Sequence, residues 1–417
     1  MTADLVIYNI GKLLTSNKKS FARGKDMNKV SFYSNAFIAI KDGLIMAVGE
    51  GEYEQYLNDF TFLHNAQGNL VIPGLIDSHT HLVHYGSREN EFASLRAGIS
   101  YLDILKQGGG IHSTVNATRK ATKEELFEKA WKSLDEMLSH GVTTIEAKSG
   151  YGLNLETEIK QLSVAKELNE YHPIDIINTY LGAHTVPNEY HDNKEGYIQS
   201  VINDIKIIKE KELASFIDVF CEDSVFNKKE SEYILKQGKL AGLIPKIHAD
   251  EIVSIGGASL AVTLDASSAD HLMAISDEDI KKLGSSKVVA NLLPNTSFYL
   301  NKDYAPARKL IDNNCIVSIS SDYNPGSSPS ENFQFTMQLA ANKLKMTSFE
   351  ILNAATINGA YNLKIEKRVG SIEVGKEADI VIMDSKNLDY VLYHFSINHV
   401  LDVFKKGEIV VRDKILV

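Results

Sequence analysis

Two histidines spaced two residues apart follow an apolar run near the start of the chain. His79 and His81 lie in the stretch VIPGLIDSHTHLVHYGSREN, directly after residues that read as a buried strand. On an extended strand this spacing places both side chains on the same face. Imidazole nitrogen is a ligand that both Zn²⁺ and Fe accept. The pair predicts a metal site, although two polar residues in an ordinary loop would give the same short pattern.

Three later apolar runs end in residues of the same chemical kind. The run KIHADE contains His248 with Glu251 three residues on, another run ends in Asp270 and His271, and SISSDYNPG contains Asp322. One such residue alone is more often a satisfied core or loop residue, but four strand ends of this kind indicate a shared site. Three neutral imidazoles and one carboxylate suit Zn²⁺ or Fe. Water held by such a metal has its pKa lowered towards about 7, which favours hydrolysis at neutral pH.

The elements that must position these residues alternate between strands and helices. The middle of the chain contains eight short apolar strand candidates separated by eight helical stretches, one of which repeats apolar residues at Leu126, Ala130, Leu134 and Leu138. Over about 280 residues this pattern predicts an α/β fold, a (β/α)₈ TIM-like barrel whose active site lies at the carboxyl ends of the strands. A doubly wound open sheet is the competing fold, but no Gly-rich phosphate-binding motif follows an early strand.

Both ends of the chain read as β structure. Near the N-terminus, DLVIYNI precedes NAFIAIKDGLIMAVG, in which Asp42 and Gly43 predict a hairpin turn. ADIVIMD, HVLDVFKKG and EIVVRD follow near the C-terminus. Because neither end has enough strands for its own core, we expect a small β-sandwich built from both termini. The expected boundaries are 1–70 and 361–417 for the two parts of this unit and 71–360 for the barrel.

Composition excludes several classes of protein. The 417 residues carry 44 Lys and Arg against 54 Asp and Glu, a net charge of -10 that argues against a nucleic-acid partner. The two cysteines, Cys221 and Cys315, do not indicate a disulfide framework and suit a reducing compartment. No apolar run reaches about 18 residues and the start does not resemble a signal peptide. We therefore expect no membrane span and a cytoplasmic location.

The motif PGLIDSHTH, followed by His248, His271 and Asp322, resembles the amidohydrolase superfamily. Its members are metal-dependent barrels with a flanking β-sandwich that cleave C–N bonds of cyclic amides or deaminate ring carbons. The loops HYGSRENEF, GISYLDILKQGGGI, EAKSGYGLN, TYLGAHTVPNEY and SSDYNPGSSPSENF resemble those of one branch of the superfamily. That branch opens the ring of 4-imidazolone-5-propanoate to N-formimidoyl-L-glutamate in histidine degradation. The resemblance implies hydrolysis of a cyclic amide C–N bond.

The resemblance also implies a ligand set. The metal ligands on matching motif positions are His79, His81, His248 and Asp322. Many members of the superfamily bridge two metals with a carboxylated lysine on the fourth strand, but the fourth strand here, SFIDVFCED, contains no lysine. We therefore expect one Zn²⁺ or Fe ion per chain.

Two residues are the candidates for catalysis. We expect Glu251 to act as general acid and base, holding the attacking water and passing its proton to the leaving ring nitrogen. The alternative is that Glu251 is an exposed residue at the start of a helix and has no part in catalysis. We expect His271 to polarise the water or the ring carbonyl.

The substrate carries a propionate, for which Arg88 offers a forked contact. The alternative for Arg88 is a surface salt bridge with Glu89 or Glu91. Further substrate contacts are expected from Tyr151 and His184.

A turn after the eighth strand is a second candidate for substrate binding. It contains Asn324, Gly326 and Ser327, and its backbone N–H groups could bind a carboxylate. Tyr101 is a further candidate, but its context SYLDIL reads equally well as the apolar face of a helix. The sequence leaves open which group holds the propionate and which holds the ring.

Two other functions compete with this interpretation. A deaminase or another cyclic amidohydrolase would keep the same metal ligands and differ in the substrate-facing loops. A catalytically silent barrel used as a scaffold would have lost metal ligands, whereas here the whole set is present. The expected partners are a small-molecule substrate and, from the resemblance, a second copy of the chain in a homodimer.

Overall fold

The N-terminal part of the chain forms five strands. The structure, a computed structural model, describes residues 2–98 and 109–417. The strands are β1 (Leu5–Ser16), β2 (Val30–Lys41), β3 (Leu44–Glu50), β4 (Phe62–Asn65) and β5 (Leu70–Pro73). β2 and β3 form the predicted hairpin, with Asp42 and Gly43 in the turn. Both turn residues have positive φ, 51° and 75°, as the tight turns of two-residue hairpins require.

The apolar run LVIPGLID belongs to two sheets, so its interpretation as one barrel strand is wrong. Leu70–Pro73 pairs with β1, and Leu75–Asp77 begins the barrel as β6. The two strands are separated by Gly74, where a Cβ atom would lie 2.2 Å from Oγ1 of Thr143. Only glycine allows the backbone to pass this close to the neighbouring strand.

Eight parallel strands form the predicted barrel. Nine segments form these strands, because the short β10 and β11 both pair with β9 at the fifth position. They are β6 (Leu75–Asp77), β7 (Val142–Lys148), β8 (Asp175–Ala183), β9 (Phe216–Cys221), β10 (Ile244–Pro245), β11 (Ile247–Ala249), β12 (Ser268–His271), β13 (Val289–Leu292) and β14 (Ile316–Ile319). They lie side by side in chain order, except that the short β10 pairs only with β9. A parallel bridge between Thr80 and Tyr323 joins the ends of β6 and β14. The barrel is therefore nearly closed.

Helices alternate with the barrel strands. In the described residues the α-helices span Glu89–Arg96, Ile111–Lys120, Lys123–Ser139, Leu155–Tyr171, Lys194–Glu210, Lys228–Leu240, Gly257–Leu264, Asp277–Gly284, Pro294–Leu300, Ala307–Asp312, Phe333–Asn342, Ser348–Ala355, Ile357–Asn362 and Leu388–Tyr393. The predicted apolar stripe of Leu126, Ala130, Leu134 and Leu138 is buried. Thr122 caps that helix by accepting a hydrogen bond from the N–H of Glu125. None of the helices in these ranges has the length and apolar character needed to cross a membrane.

The C-terminal strands join the N-terminal ones. They are β15 (Ile380–Met383), β16 (Val400–Lys405), β17 (Glu408–Arg412) and β18 (Ile415–Leu416). β15 pairs antiparallel with β5, which links the two ends of the chain in one sheet of nine strands. Apolar side chains from both ends, among them Ile7, Ile38, Ile382 and Phe404, share one buried cluster. The second, β-rich unit is thus built from both termini, as predicted.

Candidate active site

Three of the predicted ligand histidines come together at the carboxyl ends of the barrel strands. His79 and His81 follow β6, and His248 lies in β11. The ring centroid of His79 lies 5.4 Å from that of His81 and 4.6 Å from that of His248. One ring nitrogen from each histidine lies within 4.8 Å of the others. All three side chains are buried.

The predicted carboxylate ligand faces the same point. Oδ1 of Asp322 lies 3.4 Å from Nε2 of His79 and 3.6 Å from Nε2 of His81. Its other oxygen accepts a hydrogen bond of 2.5 Å from Oγ1 of Thr296. This hydrogen bond fixes the carboxylate so that Oδ1 is directed towards the histidines.

Several buried polar atoms at this point have no hydrogen-bond partner. Among the residues that the structure describes, they include Nε2 of His79, Nδ1 of His81, Nε2 of His248 and Oδ1 of Asp322. A buried polar atom without a partner typically costs about 1 to 3 kcal/mol, so such atoms are rarely left unsatisfied. Nitrogen and carboxylate oxygen are ligands of Zn²⁺ and Fe, and the residues therefore fit a divalent metal.

The ionisation of two histidines favours metal binding. Burial lowers the pKa of His79 well below its ordinary value, and the positive charge of Lys148 lowers it further. Burial, together with His184, likewise lowers the pKa of His81. Both imidazoles are therefore neutral at physiological pH, the form that binds a metal.

Five buried charged residues form a group next to the histidines, and no motif in the sequence predicted this group. We call Glu146, Lys148, Asp218, Lys246 and Asp270 the buried charge network. Nζ of Lys148 lies 2.6 Å from Oδ2 of Asp218 and 3.1 Å from Oε1 of Glu146. Nζ of Lys246 lies 2.7 Å from Oε2 of Glu146. The sequence contains one signal of this network. Glu146 and Lys148 stand at alternate positions of the predicted strand TTIEAKS, so both charges lie on the same face of that strand.

Two carboxylates of this network contact the ligand histidines. Oδ2 of Asp270 lies 2.6 Å from Nδ1 of His79, and Oδ2 of Asp218 lies 2.9 Å from Nδ1 of His248. The contact of His79 with Asp270 is a hydrogen bond, and a proton on Nδ1 of His79 leaves its Nε2 free to face the centre of the site. Burial alone would lower the pKa of His248, but attraction by Asp218 outweighs it and raises the pKa.

The two predicted catalytic residues lie next to each other. Nε2 of His271, at the end of β12, is 3.6 Å from Oε2 of Glu251. Burial raises the pKa of Glu251 to about 7 and lowers that of His271 to about 4. The Glu251 side chain is only 16% exposed, and the next helix begins at Gly257. The alternative of an exposed glutamate at the start of a helix is therefore wrong.

Arg88 lies beside the site rather than in a surface salt bridge with its acidic neighbours. Its Nε atom donates a hydrogen bond of 2.9 Å to Oγ1 of Thr114. Glu89 accepts a hydrogen bond from Ser87, and Glu91 accepts one from the N–H of Gly110.

Arg88 also lines a cavity of about 350 Å³ next to the site. His84, Lys129, Tyr323 and Asn324 are among the other residues that line this cavity. Lys129 was not among the predicted site residues, and its Nζ atom lies 2.8 Å from Nε2 of His84. The cavity carries two basic side chains, Arg88 and Lys129, and two acidic ones, Glu89 and Glu331, so any contact with an anionic group would have to be made at the basic pair.

Tyr151 and His184 pack against a predicted metal ligand. The His184 ring stacks on the His81 ring, with centroids 5.0 Å apart and planes inclined by 14°. The Tyr151 ring lies 5.3 Å from His184 and 5.7 Å from His81. Burial lowers the pKa of His184 to about 3, so its ring is neutral.

The turn after β14 differs from the prediction. Oδ1 of Asn324 accepts hydrogen bonds of 2.8 Å from the N–H groups of both Gly326 and Ser327. These two N–H groups are therefore not the free donors that the sequence suggested for a carboxylate. The Asn324 side chain instead closes the turn and also donates to the carbonyl oxygen of Asp322, 2.6 Å away. Tyr101 lies outside the described residues.

Comparisons with known proteins identify the family of this chain. The amidohydrolase family pattern matches residues 223–410. An imidazolonepropionase from Fusobacterium nucleatum is 53% identical over 411 residues, covering 98% of this chain and 99% of that protein. An imidazolonepropionase from Streptococcus pyogenes is 49% identical and covers 100% of both chains.

Solved structures share the fold at low sequence identity. An adenosine deaminase from Xanthomonas campestris with bound Zn is 18% identical, with a TM-score of 0.73 over 100% of this chain and 94% of that chain. Guanine deaminase from E. coli is 15% identical, with a TM-score of 0.74 over 98% of each chain. These likenesses support the barrel fold, and the full-length relatives identify the branch. The chain belongs to the imidazolonepropionase family of the amidohydrolases.

Proposed function

We propose that this chain is a metal-dependent hydrolase that opens the ring of 4-imidazolone-5-propanoate to N-formimidoyl-L-glutamate in histidine catabolism. Full-length relatives at 49% and 53% identity carry the name imidazolonepropionase. The observation that carries the proposal is the site itself, where the side chains that could bind a metal lie next to the pair formed by Glu251 and His271. A site of this composition suits hydrolysis of a C–N bond.

The proposed metal ligands are His79, His81, His248 and Asp322. Two other groups of potential ligands combine His79 with His271 and Asp322, or with Glu146 and Asp270. The two acids of the latter group already face Lys148 and Lys246. We favour the first set because His271 already faces Glu251. We propose one ion, Zn²⁺ or Fe, since the fourth barrel strand has no lysine to bridge a second one. When bound, such an ion supplies a Lewis acid that acidifies water and polarises a carbonyl group.

Glu251 is the proposed general base and acid. In its ionised form the carboxylate takes a proton from the water whose oxygen attacks the ring carbonyl carbon. The protonated carboxyl group then gives this proton to the ring nitrogen that leaves. The C–N bond breaks, and the carbonyl carbon becomes the new carboxylate of the product. A pKa of about 7 suits both steps, because neither form of the group is scarce at neutral pH.

His271 is the proposed donor to the oxygen that gains negative charge. Its imidazole is neutral at physiological pH because burial lowers its pKa to about 4. A neutral imidazole can donate an N–H hydrogen bond without placing a positive charge in the solvent-excluded site. Its distance of 3.6 Å from Glu251 keeps the two groups close to the same reacting carbon.

Arg88 is the proposed anchor for the propionate, with support from Lys129. Both side chains line the cavity of about 350 Å³, and an arginine there can bind a carboxylate through two N–H groups. Tyr151 and His184 are the proposed contacts for the ring, since both pack against His81. Asn324, Gly326 and Ser327 are proposed to shape the cavity wall and hold Asp322 in place.

A spectroscopic assay with freshly generated 4-imidazolone-5-propanoate tests the proposal. Purified, chelator-treated and Zn²⁺- or Fe-reconstituted protein would be compared by loss of the imidazolone ultraviolet band, with the product identified by mass spectrometry. We expect metal-dependent loss of the band and appearance of formimidoylglutamate. Decay only at the rate of the buffer, with one ion bound per chain, would contradict the substrate assignment and direct the search to ring deamination or other cyclic amides.

The homodimer and the cytoplasmic location are also proposals. Both come from the family resemblance and the composition of the chain. Light scattering of the purified protein and fractionation of the source cells would test them.

A further inference from the structure

The buried charge network is more elaborate than a folded barrel requires. Its members Glu146, Lys148, Asp218, Lys246 and Asp270 are all at most 1% exposed. Burying a charge is costly unless it is paired, and a buried ion pair is often no better for stability than apolar residues of the same size. Five such charges directly beneath a proposed metal site therefore point to a role beyond stability.

Lys148 occupies the central place in this network. Its Nζ atom lies 2.6 Å from Oδ2 of Asp218 and 3.7 Å from Oδ2 of Asp270. These are the same two oxygen atoms that contact the ligand histidines. Oδ2 of Asp218 lies 2.9 Å from Nδ1 of His248, and Oδ2 of Asp270 lies 2.6 Å from Nδ1 of His79. One ammonium group thus connects two histidines through two carboxylates.

Lys246 has a different set of contacts. Its Nζ atom pairs with Oε2 of Glu146 and donates to the carbonyl oxygen of Ser78, at 2.7 Å and 3.0 Å. Together the two lysines face three carboxylates, so one negative charge remains in the network. Without Lys148 two negative charges would remain, and the two carboxylates that hold the histidines would lose their shared cation.

We propose that Lys148 is a positioning residue that holds His79 and His248 in their metal-binding orientation through Asp270 and Asp218. The inference rests on the proposed metal site. Partners of metal-bound histidines fix the ring orientation and the position of the ring proton, and their loss commonly weakens metal binding about 10- to 100-fold. Lys148 does not contact the histidines itself but contacts both of their carboxylate partners, so its loss should affect two ligands at once.

The test compares Lys148→Met with Lys405→Met in the full-length protein. Lys405 is a matched control because it is also buried and bridges two carboxylates, Asp379 at 2.6 Å and Asp175 at 3.1 Å, in contacts outside the metal site. Metal-free proteins would be titrated with Co²⁺, whose visible absorption reports the geometry of its ligands. Zn²⁺ affinity would be measured by competition with a chelator, and unfolding of the metal-free proteins would be measured by heating.

We expect both substitutions to lower thermal stability, because each leaves buried carboxylates without a cation. Only Lys148→Met should weaken Zn²⁺ binding, about 10- to 100-fold, and change the Co²⁺ spectrum. Equal Zn²⁺ affinities and Co²⁺ spectra in the two variants would overturn the proposal, since Lys148 would then have a purely structural role. If wild-type protein bound no metal, the proposed metal site itself would fail.

A second variant keeps the inference testable if Lys148→Met does not fold. Asp218→Asn preserves the size of the side chain but removes the charge that links Lys148 to His248. We expect weaker Zn²⁺ binding and a changed Co²⁺ spectrum in this variant as well. Wild-type affinity and an unchanged spectrum would show that the connection through Asp218 does not position the ligand, and the proposal would fail.

Discussion

Oε2 of Glu251 lies 3.6 Å from Nε2 of His271, and burial reverses the ordinary order of their pKa values. The pKa of Glu251 is raised to about 7, whereas that of His271 is lowered to about 4. Between these values the carboxyl group holds a proton and the imidazole does not. The pair therefore offers a proton-transfer group and a neutral hydrogen-bond donor within one small space.

Glu251→Gln should remove proton transfer while leaving the metal site intact. The amide has nearly the same shape but can neither take nor deliver the proton, so we expect kcat to fall by about 10² to 10⁴. Metal content, measured by elemental analysis, should match that of the wild type, because Glu251 is outside the proposed ligand set. Retention of more than half of the wild-type kcat would contradict the role of Glu251.

The raised pKa of Glu251 predicts the pH dependence of the reaction. Only the ionised carboxylate can act as base, so kcat/KM should rise with pH and level off above about pH 7. Stopped-flow measurements between pH 5 and 9 would check this, with the stability of the protein verified at each pH. An activity that is already maximal at pH 5 would show that the group keeps an ordinary pKa.

The same shift predicts an effect on stability. Because the pKa of Glu251 rises from 4.5 to about 7 on folding, the folded state binds more protons than the unfolded state between these pH values. Folding stability should therefore fall as pH rises through this window, by at most about 3 kcal/mol. Glutamine does not titrate, so the Glu251→Gln variant should not lose this stability as pH rises. The stability of the metal-free variant relative to wild type should therefore increase from pH 5 to pH 8. Urea unfolding at both pH values measures the difference, and a constant difference would contradict the shift.

Removal of one histidine ligand should release the metal. We expect His79→Ala to lose most of its bound metal and its activity, because the site would keep only two imidazoles. His64→Ala is the control, since His64 contacts Asp402 in the β-rich sheet, 2.8 Å away, and should leave metal content unchanged. Elemental analysis and activity after dialysis measure both effects. Full metal content in His79→Ala would contradict the proposed ligand set.

Gly326→Ala should disturb substrate binding through Arg88. A Cβ atom at Gly326 would lie 2.3 Å from Nη1 of Arg88, so the guanidinium group would have to move. We expect this variant and Arg88→Met to raise KM about 10- to 100-fold, the loss expected for hydrogen bonds to a charged group. Arg308→Met is the control, because Arg308 pairs with Glu350 elsewhere, at 2.9 Å. An unchanged KM in Arg88→Met would show that the propionate binds another group.

Local patterns in the sequence predicted the barrel and pointed to the candidate residues of the site. A spacing of two residues in an extended segment predicts that His79 and His81 share one face, and both residues follow directly after β6. The alternation of apolar strands and amphipathic helices predicted the barrel, and the barrel architecture in turn brought His248, His271 and Asp322 to the same end. These features depend on short stretches of chain, so the sequence shows them directly.

Tertiary structure alone decided the contacts between distant segments. His79 and Asp270 form a contact of 2.6 Å although 191 positions separate them. Lys148 showed only as a charge in an apolar strand, and closure of the barrel supplied its partners. The need for glycine at position 74 likewise depends on the side chain of Thr143, which is distant in the sequence. A charge buried in a strand needs a partner, but only the packing of the whole chain determines which residue provides it.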